Sequence, residues 1–142
     1  MIIIIYTKLL KKNIFLLHQT MPYKKILLKV IHLLIDEWNK TQLEAFIEHF
    51  SDDFILTSPN VKLIFPENEN FELRTKSKLR TYLDKLKNRD VDFKVSGSKI
   101  NLELKTAYFT MDIESASGRS KAFVEIRLNE YGKVFYFKID YK

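Results

Sequence analysis

Cysteine is absent from the 142 residues. This excludes a disulfide framework, a thiolate zinc site and thiol catalysis, and it leaves the redox compartment open. Glycine and proline are scarce, with three of each, so no glycine-rich phosphate loop can be assembled. Long apolar runs are missing as well. The apolar opening, Met1 to Thr7, is cut off by Lys8, far short of the ~20 residues that span a bilayer. It also lacks the order of a secretory signal, in which positive charge precedes the apolar region and a small-residue cleavage site follows it.

The net charge of +6 suggests nucleic acid until the charges are located. Lys8, Lys11 and Lys12 lie in the first twenty residues, which hold no acid, and the remainder is close to balance. A nucleic-acid surface requires a concentrated basic stripe or a stacking motif. The one concentration, Lys76, Lys78, Arg80, Lys85 and Lys87, falls on a predicted helix with neither a stacking motif nor a recognition-helix pattern. It reads as a solvated helix face, so no nucleic-acid partner and no membrane are expected.

Almost half of the chain is hydrophobic, and 13% is aromatic, enough for one core at the usual size of a single domain. The first twenty residues read as a poorly ordered extension, or as lying upstream of a start at Met21. The domain then covers residues 21–142. From Tyr23 to Asn39, Leu27, Val30, Ile31, Leu34 and Trp38 recur at helical spacing. Thr41-Gln42-Leu43-Glu44 has the form of a capping box, and Leu43, Phe46, Ile47 and Phe50 continue in helical phase. A short strand is expected from Phe54 to Thr57, then a loop or irregular hairpin around Val61 to Phe65. A third helix capped by Thr75 buries Leu79, Tyr82, Leu83 and Leu86.

After Asp90 the apolar period changes from helical to alternating. Val91, Phe93 and Val95 form one such set, and Ala107, Phe109, Met111 and Ile113 form another. A parity flip between Leu104 and Ala107 demands a turn or a bulge there. Ser117-Gly118 marks a turn, and Asn129-Glu130-Tyr131-Gly132 marks a hairpin leading into Val134 to Tyr141. In that last strand, Phe135, Phe137, Ile139 and Tyr141 fall on one face. Val134, Tyr136, Lys138 and Asp140 fall on the other. The expected architecture is α+β, with three N-terminal helices packed on one face of a curved, mostly antiparallel sheet.

Several residue groups fit one known pattern in order and spacing. They are Trp38-Asn39, Leu43-Glu44-Ala45-Phe46, Phe50-Ser51-Asp52-Asp53, Ser58-Pro59, Leu79-Arg80-Thr81-Tyr82-Leu83, Asn129 to Val134 and Asp140-Tyr141. Across residues 24–142 the chain resembles the SnoaL-like branch of the nuclear-transport-factor-2-like superfamily. The resemblance implies a cone-shaped domain with an internal pocket. Its ketosteroid isomerases, polyketide cyclases and epoxide hydrolases set different polar groups inside that cone. Isomerase-like members carry an acid before the proline that follows the first strand. Here that position is Ser58, which holds no charge near neutral pH. Their oxyanion-donor tyrosine on the first helix is replaced by the apolar Leu33, Leu34 and Ile35.

The residues expected to bound the pocket are Trp38, Phe54, Tyr82, Phe109, Phe137 and Tyr141, each in the apolar phase of its own element. Ser58 is expected as a polar anchor. Glu125 and Asp112 are the candidate acid–base carboxylates, provided that their strand faces look into the cone. Placed outward, they would pair with lysines across the sheet or sit at a subunit interface. His32 and His49 read as surface or hydrogen-bonded histidines, and Asp52-Asp53 as turn residues. No metal site and no cofactor are expected. The reading is a cytoplasmic pocket protein for a small, largely apolar molecule. Its rivals are a small lyase, isomerase or hydrolase using Glu125 or Asp112, and a dimerising interaction module. A homodimer through the sheet is expected, because the last two strands carry large apolar residues on both faces.

Overall fold

The computed structural model describes residues 23–87 and 90–142. The expectations for residues 1–20, and for helix entry through Met21 and Pro22, lie outside them. Helix α1 (Tyr23–Asn39) turns Leu27, Val30, Ile31, Leu34 and Ile35 into the core, the one-sided stripe its sequence predicts. A turn leads to the short helix α2 (Leu43–Glu48). Strand β1 (Phe50–Thr57) and a one-turn helix α3 (Asn60–Ile64) follow. Next come β2 (Glu72–Leu73), α4 (Lys76–Leu86), β3 (Val91–Asn101), β4 (Thr106–Ser115), β5 (Gly118–Leu128) and β6 (Val134–Tyr141).

The six strands form one open sheet in the order β2-β1-β6-β5-β4-β3. All neighbours are antiparallel except β1 and β6. The inner face is continuous across the register. Phe93 lies beside Ile113, Met111 beside Ala122, Val124 beside Ile139, and Ile126 beside Phe137. Helices cover this face, and its central residues are buried. The fold is therefore α+β, with the helices of the N-terminal half packed on a curved, mixed sheet.

Several turns follow their sequence signals. Thr75 caps α4, its hydroxyl accepting from the Lys78 amide at 3.3 Å. Asn129 accepts from the amides of Tyr131 and Lys133, both at 2.9 Å, and Gly132 adopts φ 74° to close the hairpin. The parity flip before Ala107 is a turn over residues 102–105.

Four local expectations are corrected. The Thr41 capping box does not form. Thr41 sits at φ 58°, Gln42 takes the N-cap position without a side-chain bond, and Glu44 turns away from its own helix. Glu44 instead holds Arg80 of α4 through two hydrogen bonds of 2.9 and 2.6 Å. The first strand starts at Phe50, not Phe54. Although Phe50 keeps the helical phase, the Val134 amide donates to the His49 carbonyl at 2.7 Å and draws the chain into the sheet. Residues 60–64 are helical, since Pro59 is pre-set at φ −57° to open a helical turn. Val134 faces inward with Phe137, because the β5–β6 register slips where Arg127↔Tyr136 gives way to Leu128↔Val134. This bulge at Phe135 resets the alternation.

Candidate functional site

The inner-face residues at one end of the sheet do not close on the helices. They leave a cavity of about 660 Å³, within the range of small-molecule sites. Its walls come from the first part of β3, the last part of β4, the first part of β5 and the last part of β6, where Phe93, Met111, Ile113, Ser120, Ile139 and Tyr141 contribute. Helices α1, α2 and α4 supply Ile35, Trp38, Phe46, Leu83 and Leu86. Asn39, Thr41, Asn60, Lys87 and Asp90 also border it.

The polarity of the lining is graded. Ile35, Phe46, Leu56, Leu83, Met111, Phe137 and Ile139 are buried and apolar, whereas Asn39, Thr41, Lys87, Asp90 and Ser120 are exposed. Tyr82 is the one buried lining residue with a polar side-chain atom. Its hydroxyl donates to Ser58 Oγ at 2.9 Å, and Ser58 Oγ also accepts from the Asn60 amide at 3.2 Å. Trp38 is clamped between Phe46 and Phe93, with ring centroids 5.9 and 6.2 Å away. Beside it, the Asn39 side-chain amide donates to the Phe93 carbonyl at 2.7 Å and accepts from the Phe93 amide at 3.0 Å. That pair of bonds ties the end of α1 to the edge strand.

Of the residues expected to bound a pocket, Trp38, Tyr82, Phe137 and Tyr141 border this cavity. Three do not. Phe54 packs on Phe50, with centroids 5.2 Å apart, and is fully buried in the core. Phe109 is buried between Val124 and Ser98, toward the filled end of the sheet. Ser58 is wholly enclosed, bonded to Tyr82 and Asn60, which do border the cavity. Phe54 and Phe109 have the expected inward phase, and Ser58 follows the end of β1. Distance along the element, which phase does not report, puts them beyond the cavity.

The two candidate carboxylates lie outside the cone. Val124 and Ile126 point inward, so alternation turns Glu125 to the outer face. There it stands opposite Lys138 and Tyr108 and accepts from Arg127 Nη2 at 3.2 Å. Asp112 stands between Lys94 and Lys121 in the register, with Lys121 Nζ at 3.9 Å. Neither borders the inner cavity. His32 is exposed, and His49 Nε2 lies 2.9 and 3.1 Å from the two carboxylate oxygens of Glu37. Among the described residues no cluster of His, Cys, Asp and Glu could hold a metal ion. Nor is any described helix long and apolar enough to cross a membrane.

Burial pushes the Tyr23 hydroxyl above its ordinary range, because the phenolate would lose its hydration. Its hydroxyl donates toward the carbonyls of Lys105 and Leu128, at 3.2 and 3.3 Å. The Glu44 carboxylate, through hydrogen bonds and charge, raises the exposed Arg80 guanidinium. Neither group borders the cavity.

No protein-family model matches the sequence, and no curated protein matches it either. Similarity appears in the fold. A SnoaL-like protein of unknown function from Burkholderia thailandensis superposes with a TM-score of 0.70 at 20% identity, over 83% of this chain and 95% of that one. An NTF2-like protein of unknown function from Cytophaga hutchinsonii gives 0.58 at 11% identity, over 80% and 87%. The epoxide hydrolase/cyclase-like enzyme SalBIII, which acts in pyran ring formation in the polyether salinomycin, gives 0.65 at 13% identity, over 80% and 88%. The chain thus has the SnoaL-like, nuclear-transport-factor-2-like fold. That fold serves unrelated chemistries, so the activity has to be argued from the cavity.

Proposed function

We propose that this chain binds a small, largely apolar molecule in the inner cavity, between α1, α2, α4 and the sheet. The observation that carries the reading is the polarity gradient. Apart from Tyr82, the buried residues of the lining are apolar, while most of its exposed residues are polar. Such a wall favours a ligand with an apolar body and a wet end. An enzyme built on Glu125 or Asp112 is the weaker reading, because both carboxylates face away from this volume and toward lysines.

Trp38 is the single tryptophan and lines the cavity, so its emission reports occupancy. N-phenyl-1-naphthylamine, a neutral apolar probe, should change that emission saturably at one probe per chain. Ile113→Phe and Ile139→Phe add volume to the wall and should weaken binding by about tenfold or more, with an unchanged circular dichroism spectrum. Non-saturable partitioning, or equal affinity in both variants, would refute the reading.

A second reading concerns the outer face of the sheet, where Tyr108 and Phe123 are more than a third exposed beside Glu125 and Lys138. Large apolar groups among charges of both signs suit a self-complementary contact. We assign this face to homodimerisation.

A further inference from the structure

We propose that Asn39 guards the free edge of the sheet, by filling the place on β3 that a second copy of this chain would otherwise take. The sheet is open, and β3 (Val91–Asn101) is one of its two edges. An edge strand turns alternate amides and carbonyls outward, a ready template for another strand. The Asn39 side chain meets that template at Phe93. Its Nδ2 donates to the Phe93 carbonyl at 2.7 Å, and its Oδ1 accepts from the Phe93 amide at 3.0 Å. Exchange of both bonds with one residue is the pairing that an antiparallel strand makes with its neighbour. Asn39 therefore stands in for one residue of a strand. Trp38, packed on the Phe93 ring with centroids 6.2 Å apart, keeps the end of α1 within reach.

The occupant follows from the residues along the edge. Phe93, Val95, Ser98 and Ile100 stand opposite Ile113, Met111, Phe109 and Ala107 of β4, with a register shift between Val95 and Gly97. The four β4 partners lie two apart, so Ser98 and Ile100 share the phase of Phe93 and turn their backbone groups to the open side. A second copy laid antiparallel, with its Ser98 opposite Phe93, pairs Val91 with Ile100 on the inner face. On the outer face it sets Asp92 opposite Lys99. A two-fold axis repeats each pair, so two opposite-charge contacts form and no like charges stand directly opposite. This pairing needs the Phe93 amide and carbonyl of both copies, and Asn39 holds both groups. Carried on the same chain, Asn39 competes at high effective concentration against a second copy.

Sedimentation velocity of the intact chain across a dilution series tests this. Asn39→Ala should add an association step that the wild type lacks, strengthening self-association through this edge by about tenfold or more. The step should survive Phe123→Asp, which removes the outer-face contact. Adding Asp92→Lys to Asn39→Ala sets Lys against Lys99 and should abolish the step, and Lys99→Asp on top of both should restore it. A folded Asn39→Ala chain that associates no more than the wild type would overturn the proposal. So would an added step that ignores these charges, or one that is lost with Phe123→Asp and so belongs to the outer face. If Asn39→Ala fails to fold, hydrogen exchange of the wild type decides. Corrected for intrinsic rates, the Phe93 amide should exchange about tenfold or more slowly than those of Ser98 and Ile100, because the edge is closed at Phe93 and open beyond it. Equal protection at the three amides overturns the proposal.

Discussion

Tyr23 and Tyr82 both donate their hydroxyl protons within the chain, in different surroundings. Tyr82 sits among hydrocarbon with a fixed acceptor behind it. Tyr23 stands at the start of α1 and donates to carbonyls beside the β3–β4 turn and at the end of β5. Burial raises the Tyr23 pKa, and the sign of its effect on stability follows. The unfolded chain loses this proton near pH 10, and the folded chain only above that. The tyrosine's contribution is thus fully present below about pH 10 and is lost as pH rises through the folded pKa. Urea midpoints should fall more steeply above pH 10 in the wild type than in Tyr23→Phe. At neutral pH, Tyr23→Phe should cost about 1 kcal/mol for the lost hydrogen bonding. Parallel alkaline slopes in the two proteins would contradict this.

At the scale of elements, two threonines with similar sequence signals part company. Thr75 caps α4, so Thr75→Ala should destabilise by about 1 kcal/mol. Thr41 caps nothing and is held at φ 58°, where a β-branched side chain is strained. Thr41→Gly should therefore raise stability by about 0.5 kcal/mol, as read from denaturant midpoints, and a loss of about 1 kcal/mol would show a capping role after all. The contrast marks the boundary of what the sequence discloses. Helical and alternating periods were legible for α1, α4 and the hairpins, because each buries one face of a regular element. The fate of the Thr41 box depends on Arg80, a residue far along the chain that draws Glu44 away. The site was half legible for the same reason. Phase put Trp38, Tyr82, Phe137 and Tyr141 on the inner side, but equally Phe54 and Phe109. Only the packed assembly decides which end of the cone stays open. The outward turn of Glu125 and the inward turn of Val134 likewise needed the strand register.

At the scale of the whole molecule, the sheet divides the chemistry into two compartments. The inner face carries the cavity, and the outer face carries the ion pairs of Glu125, Asp112 and their neighbours. Changes on the two sides should act independently, since residues without shared partners behave additively. Phe123→Asp on the outer face should convert a dimer to a monomer by light scattering across a dilution series. It should leave the Trp38 response to N-phenyl-1-naphthylamine unaltered. A wild type that is monomeric at every concentration would remove the outer face from consideration as a self-association surface.

The parallel pairing of β1 with β6 has a consequence in time. The Ser51 hydroxyl donates to the Val134 carbonyl across 83 residues of sequence, and no shorter route gives β1 its long neighbour. During synthesis, at about 5–20 residues per second, the segment from Phe50 to Thr57 waits on the order of ten seconds before its partner strand is made. Throughout that interval β1 has only the short β2 to pair with, at Leu56 and Thr57, and Phe50 has no neighbouring strand. The open end of the cone takes shape only when Phe137, Ile139 and Tyr141 arrive. A nascent chain therefore passes from having no cavity to having a whole one in a single late step. Its unguarded moment, when a chaperone would find an apolar strand to hold, lies between the birth of β1 and that of β6.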